Sequence, residues 1–302
     1  MRLTRTPAIL ATGALVLTVG LAGCSSSDDD TATEGTPNAS APAVSKDDAL
    51  AAMVPADVAS DGVLSIGTDA SYAPGQFLDT DGTTIIGWDV DLAKQVAAVL
   101  GLKAEFTNAP FGSLVEGVKG GKYDLGVSSF TINPERVEQV DMPSYFNAGT
   151  SWAVPTGNPN GITPDNACGF KVAVQKDTVQ VPDAEARSKA CADAGKEPIT
   201  IEQYQLQSDA TAAVVSGKDD AMLADSPVVD YAIAQTAGKL ELTGELYDAA
   251  PYGYAVPKEG DYAKAVQGAL QSLMDSGVYK QVLTQWGVEN GAITTSELNP
   301  VQ

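Results

Sequence analysis

What most narrows the fold is an alternation of strand-like and helix-like segments that runs twice along the chain. Val63–Thr68 (VLSIGT) reads as a buried strand entering the polar loop Asp69-Ala70-Ser71-Tyr72. Phe77–Leu78 and Ile85–Gly87 flank Asp79-Thr80-Asp81-Gly82, where Asp-Gly signals a hairpin turn rather than a calcium loop. Leu92, Val96 and Leu100 then recur at helical spacing behind Asp89, read as the cap, and Gly101 ends the run. Lys103–Phe106 is the next strand, Phe111–Lys119 a helix stopped by Gly120-Gly121, and Tyr123–Val127 a third strand. The order returns with strand Lys171–Gln175 (KVAVQ), its polar loop Asp177-Thr178-Val179-Gln180, strand Ile199–Ile201, helix Asp209–Val215 and strand Asp220–Leu223. Two joints match, Gly121-Lys122-Tyr123-Asp124 and Gly217-Lys218-Asp219-Asp220, each between a helix and a strand. The pattern predicts two similar α/β lobes. Loops beyond the carboxyl ends of such strands bind ligands, so the lobes should face each other across a cleft.

Composition removes whole classes of function. The chain has 302 residues, 18 Lys+Arg against 39 Asp+Glu, and a net charge of −21. Phosphate binding needs surplus Lys and Arg, so no nucleic-acid partner is expected. With no histidine, Ser–His–Asp, Cys–His and HExxH chemistries are impossible. Asp89 and Asp91 resemble a paired-carboxylate site, but two acids at a helix start favour the helix dipole instead. No metal or cofactor is expected.

The first residues set the compartment. Arg2 and Arg5 precede an apolar stretch from Pro7 to Leu21 that ends in Leu21-Ala22-Gly23-Cys24. That order predicts a signal peptide over residues 1–23, and a cysteine after small residues resembles a bacterial lipobox, with Cys24 acylated. Residues 24–50, rich in Ser, Thr, Asp, Ala and Pro, read as a lipidated N-terminus and flexible tether. The expected location is the cell membrane, lipid-anchored on the extracytoplasmic face. Cys168 and Cys191 remain, and an even pair in an oxidising compartment predicts a disulfide.

Several runs, taken in order, resemble one family. They are Ile66-Gly67-Thr68-Asp69-Ala70-Ser71-Tyr72-Ala73-Pro74, Gly87-Trp88-Asp89-Val90-Asp91-Leu92-Ala93, and Ser128-Ser129-Phe130-Thr131-Ile132-Asn133-Pro134-Glu135-Arg136. Tyr252-Gly253-Tyr254-Ala255-Val256-Pro257 and Gly277-Val278-Tyr279 with Trp286-Gly287 follow near the C-terminus. Together they are similar to the polar-amino-acid substrate-binding proteins of ABC importers, solute-binding family 3. The resemblance implies an α/β, two-lobed periplasmic-binding-protein (Venus-flytrap) fold with two crossover strands. Residues 51–150 and 251–302 would form lobe 1, and residues 151–250 lobe 2. It implies a monomer that binds a free amino acid and meets a membrane permease.

The resemblance also assigns a ligand set. Arg136 would grip an α-carboxylate, whose geometry suits a guanidinium. Thr131 would donate to the same group, Ser129 would meet the α-ammonium through its backbone, and Asp225 would take that ammonium's charge. Thr178 and Val179 would offer backbone N–H groups from lobe 2. Here the chain departs from the family, because Asp177 stands where a Gly-Thr-Thr type loop is expected, and an acid there must point outward. Asp69, Tyr72 and Phe111 would set specificity, two aromatics around the ligand's stem and the acid at its tip. Arg, Lys, ornithine, His or Gln would suit that acid. Pro74-Gly75-Gln76 replaces a more usual Pro-Phe-Glu and is expected to widen the mouth. Trp152 reads as hinge packing. The alternative is an enzyme on the same scaffold, a cyclohexadienyl-dehydratase-like lyase, which would need a general acid or base beside its substrate.

Overall fold

The computed structural model describes residues 44–258 and 260–301. The expected leader at 1–23, Cys24 and the tether as far as residue 43 lie outside the described residues. The end of the expected tether belongs to the fold. Asp47 accepts hydrogen bonds from the N–H groups of Ala49 and Leu50 and so caps α1 (Asp48–Ala51), while Val44 and Leu50 pack on the first core. Two apolar side chains and a cap are enough to dock it.

After α2 (Ala56–Ala59) comes β1 (Val63–Thr68), then β2 (Ser71–Tyr72), β3 (Gln76–Leu78) and β4 (Ile85–Ile86) in a small antiparallel sheet. Its turn is the expected one, with Asp81 accepting from the N–H groups of Thr83 and Thr84. The cap of α3 (Trp88–Val99) is Gly87 rather than Asp89. Gly87 has φ 139°, and a Cβ there would sit 2.0 Å from the Gly75 carbonyl oxygen, so only glycine lets the chain pass. Asp89 lies in the first helical turn but is buried. Next come β5 (Lys103–Asn108), a 3₁₀ turn at Phe111–Ser113, α4 (Leu114–Lys119) and β6 (Leu125–Gly126). These give a parallel sheet ordered β5-β1-β6. Asn133 caps the short α5 (Pro134–Gln139), with proline at its first position, where no N–H is needed.

The second lobe is threaded between two long strands. β7 (Ser144–Pro155) leads to β8 (Lys171–Gln175), α6 (Gln180–Asp193), β9 (Thr200–Tyr204), α7 (Gln207–Val215), β10 (Ala221–Asp225), α8 (Ser226–Gln235) and β11 (Leu240–Gly253). They form one sheet ordered β11-β7-β10-β8-β9, parallel from β10 to β9 and antiparallel around β7. The chain then returns through α9 (Tyr262–Ser276) and α10 (Val278–Trp286).

Packing identifies β7 and β11 as the crossing pair. Tyr145, Phe146 and Ala148, early in β7, join Leu64, Val96 and Leu270 in the first lobe's core. Trp152 and Val154, late in β7, join Val172 and Leu223 in the second. β11 runs the other way, with Leu240 in a second-lobe cluster and Tyr252 in the first core. Their mutual register slips between Thr243 and Tyr247 and again before Ala250, and such irregular pairing is where a ladder bends most readily. Trp152 packs here as expected and donates to the Tyr247 hydroxyl at 2.8 Å. Cys168 and Cys191 form the expected disulfide, Cα–Cα 5.6 Å, between the loop before β8 and α6. Among the described residues no helix is long and apolar enough to cross a membrane.

Candidate ligand-binding site

The residues of the candidate site lie in segments that follow the carboxyl ends of strands, Arg136 farthest along, in α5. The first lobe contributes the loops after β1, β5 and β6, and the second those after β8 and β10. Tyr72, Phe111, Ser129, Thr131, Arg136, Thr178, Val179 and Asp225 converge on one interlobe cavity, joined by Gln180. Asp69 alone of the expected ligand residues is absent from that lining.

Arg136 is fixed before any solute arrives. Its Nη1 donates to the Thr131 carbonyl at 2.7 Å, and its guanidinium lies 5.2 Å from the Phe111 ring centre and 5.6 Å from that of Phe130. Phe111 and Phe130 themselves stack at 5.2 Å. Burial draws the Arg136 pKa down to about 10, against the pull of Asp225 and Glu135, so it stays cationic at neutral pH. One of five guanidinium N–H donors is committed to Thr131, and others remain for an anion.

Asp225 ends β10 and occupies the N-cap of α8, yet makes no capping bond. Its Oδ2 instead accepts from the hydroxyls of Tyr72 at 2.9 Å and Tyr252 at 2.5 Å, and its Oδ1 from Gln180 Nε2 at 2.8 Å. Burial raises its pKa, opposed by those bonds and by Arg136. A carboxylate taken from its usual cap role and surrounded by neutral donors is poised for a cation.

Ser129 holds its backbone at φ 49°. Asp89 fixes it there, accepting from the Ser129 N–H at 3.1 Å and from the Tyr145 hydroxyl at 2.9 Å. Burial pushes the Asp89 carboxyl up to about 7. Gln76 stands behind the same loop, fully buried, accepting from Ser129 Oγ at 3.2 Å and donating to Ser128 Oγ at 3.3 Å. The Gly75-Gln76 departure thus places a side chain that supports this loop.

Asp69 binds protein groups. It accepts from Ser71 Oγ at 2.6 Å, from the Phe111 N–H at 3.0 Å, and across the cleft from Gln175 Nε2 at 3.2 Å. Burial nonetheless raises its pKa. Three further bonds join the lobes: the Tyr72 hydroxyl donates to Asp225 Oδ2, the Asp225 N–H donates to the Tyr72 hydroxyl at 3.2 Å, and the Gln207 N–H donates to Ser71 Oγ at 3.1 Å. The Tyr72 ring, though part of the first lobe, packs in a second-lobe cluster with Ala153, Ala173 and Met222. Thr178 turns its hydroxyl to the Gln175 carbonyl at 2.8 Å. Asp177 is exposed and lines an outer cavity together with Gly112 and Arg136. With the lobes so joined the cavity's free volume is about 10 Å³, room for about one water, so a solute enters only when they part.

Gln180, Gln76 and Tyr252 escaped sequence reasoning. Gln180 had a local signal, a polar residue directly after the Thr178-Val179 loop. Tyr252 had none, since it reaches Asp225 from the returning crossover strand.

Known proteins resemble this chain in sequence and in fold. The arginine-binding protein ArgT of Corynebacterium glutamicum is 40% identical over 251 residues, covering 83% of this chain and 82% of its own. A solved ancestral arginine-binding protein bound to arginine is 31% identical with a TM-score of 0.68, covering 74% of this chain and 98% of its own. The ancestral amino acid-binding protein AncCDT-1, a precursor of cyclohexadienyl dehydratase, is also 31% identical with a TM-score of 0.68, covering 76% of this chain and 97% of its own. Residues 64–289 match the model of the bacterial extracellular solute-binding proteins, family 3, and the chain belongs to that family.

Proposed function

We propose that this chain captures a free polar or basic amino acid, arginine foremost, in its interlobe cleft and delivers it to the permease of an ABC importer. The observation that carries the reading is the convergence of Arg136 and Asp225, from opposite lobes, on one cavity. A zwitterion matches the pair, its α-carboxylate on the guanidinium and its α-ammonium on the carboxylate. Each lobe thus holds one half of the clamp, and ligand bound to both favours the closed arrangement over the open one. Tyr72 and Phe111 line the same cavity and offer ring faces to a cationic side chain. The arginine-binding relatives support the basic choice. Asp69 serves at the tip once closure is rearranged around a ligand, exchanging its bond to Gln175. Cys24 anchors the mature chain to the membrane through lipid, and the protein acts as a monomer.

A dehydratase reading is less well supported. Asp225 is engaged by three donors, and burial raises the pKa values of Tyr72 and Tyr252 well above the phenol range. These groups hold charge in place instead of passing protons. A calorimetric panel of the twenty amino acids with ornithine and citrulline tests the proposal. Arginine at 100 times its dissociation constant should add about 2.7 kcal/mol of stability and be recovered unchanged. A panel in which nothing binds would overturn the assignment, and stabilisation by Glu or Asp alone would overturn the basic preference.

A further inference from the structure

Asp177 sits in the loop between β8 and α6 with φ 65°, in the left-handed region that favours glycine. It does not cap α6, which has no side-chain cap. Its side chain lies instead against Gly112, in the 3₁₀ turn of the opposite lobe. A methyl group built on Gly112 would lie 2.1 Å from Asp177 Oδ2, 2.6 Å from Cγ and 2.9 Å from Cβ. Turning the carboxylate aside would relieve the first two overlaps. The third belongs to the root of the side chain and yields only if the backbone moves. The contact therefore depends on there being no side chain at 112.

Its place gives it consequence. Phe111, Arg136, Thr178 and Val179 line both the inner cavity and an outer one of about 380 Å³, and Gly112 and Asp177 meet on the outer one. The interlobe bonds of Tyr72, Asp69 and Ser71 lie deeper, at 2.9, 3.2 and 3.1 Å. A donor and acceptor drawn apart to about 3.6 Å no longer form a hydrogen bond, so a rim propped open breaks these contacts. We propose that Gly112 and Asp177 form a rim latch, in which Gly112 is the seat that Asp177 must reach for the lobes to close on a ligand. The use of arginine as the probe rests on the receptor reading; the latch itself does not.

The test is a double-mutant cycle of Gly112→Ala, Asp177→Gly and the two combined. Arginine affinity and dissociation rate are measured for each. In ligand-free protein, the distance between nitroxides at Lys119→Cys and Lys196→Cys, one on each lobe, is measured by pulsed electron resonance. Gly112→Ala should weaken arginine binding roughly tenfold or more, the scale of forcing a methyl into a filled space, and should lengthen the interlobe distance. Asp177→Gly should keep affinity within a few-fold while arginine leaves faster. The double variant should return to the Asp177→Gly values, which also shows that alanine at 112 does not unfold the lobe. Wild-type binding and distance in Gly112→Ala, or a double variant as impaired as Gly112→Ala, would overturn the latch. If no amino acid binds the wild-type chain, the receptor reading falls and the distance measurement still decides the latch.

Discussion

Arg136 gains its value from what surrounds it. Two phenyl rings and one carbonyl hold the guanidinium still, so little rotamer entropy is lost when an anion binds. Lysine could keep the charge but neither the planar fork nor the ring contacts. Arg136→Lys is therefore expected to weaken arginine binding by about ten- to a hundredfold, in line with 1.5–3 kcal/mol for a charge-assisted bond. Asp225→Asn keeps the shape and removes the charge, and should cost about 2–5 kcal/mol of binding. Titration calorimetry measures both, and a melting curve confirms that each variant folds. Affinity unchanged in either would remove that residue from the clamp. Both were singled out through the family resemblance, since an arginine one turn beyond Thr131 and an acid ending an apolar strand are unremarkable by themselves. Asp69 was legible only as an acid in a loop. Its bonds come from Phe111 and Gln175, which adjoin it only after both lobes have formed and met.

At the scale of elements, the twofold alternation of strands and helices was written plainly in the apolar spacing. The crossing pair was harder to see. β7 and β11 are 12 and 14 residues long, and each serves two cores, so their burial follows no single alternating pattern. The cap of α3 was misread because Asp89 has the usual capping side chain, whereas the backbone there requires glycine. The disulfide needed only composition and compartment. It closes a separation of 23 residues around β8 and most of α6, which in the chain-entropy model stabilises by about 3 kcal/mol. Replacing Cys168 and Cys191 together by serine should lower stability by roughly that amount in denaturant titration. Arginine affinity should stay within about threefold, since the bond lies away from the cavity, whose second-lobe contacts begin at Thr178. A large loss of affinity at undiminished stability would instead place the bond in control of the site.

The whole molecule carries a net charge of −21 and encloses carboxyl groups that burial has made harder to ionise. Asp69, Asp89 and Asp225 all have raised pKa values from this cause, Asp89 to about 7. In the unfolded chain each would titrate near 3.9, roughly the model aspartate value. Below about pH 4 both states hold the proton, and these groups give stability no pH dependence. Above it the folded chain binds the extra protons, so stability falls as pH rises, and for Asp89 the fall is complete only beyond about 7. Growing self-repulsion among ionised carboxylates acts in the same direction. Asp81 has the opposite sign. Hydrogen bonds from Thr83 and Thr84 depress its pKa, so its contribution is lost only as pH drops below the ordinary carboxylate range. The two windows meet near the unfolded aspartate value, so the ligand-free protein should melt highest at about pH 4 and progressively lower toward pH 8. Asp89→Asn still offers an acceptor to Ser129 and removes the titration, so it should flatten that descent. Scanning calorimetry from pH 4 to 9 on both proteins checks it. An equal slope in the variant would show that Asp89 is ionised at little cost in the fold and that the acidic surface sets the profile, and a melting temperature that climbs from pH 5 to 8 would overturn both contributions.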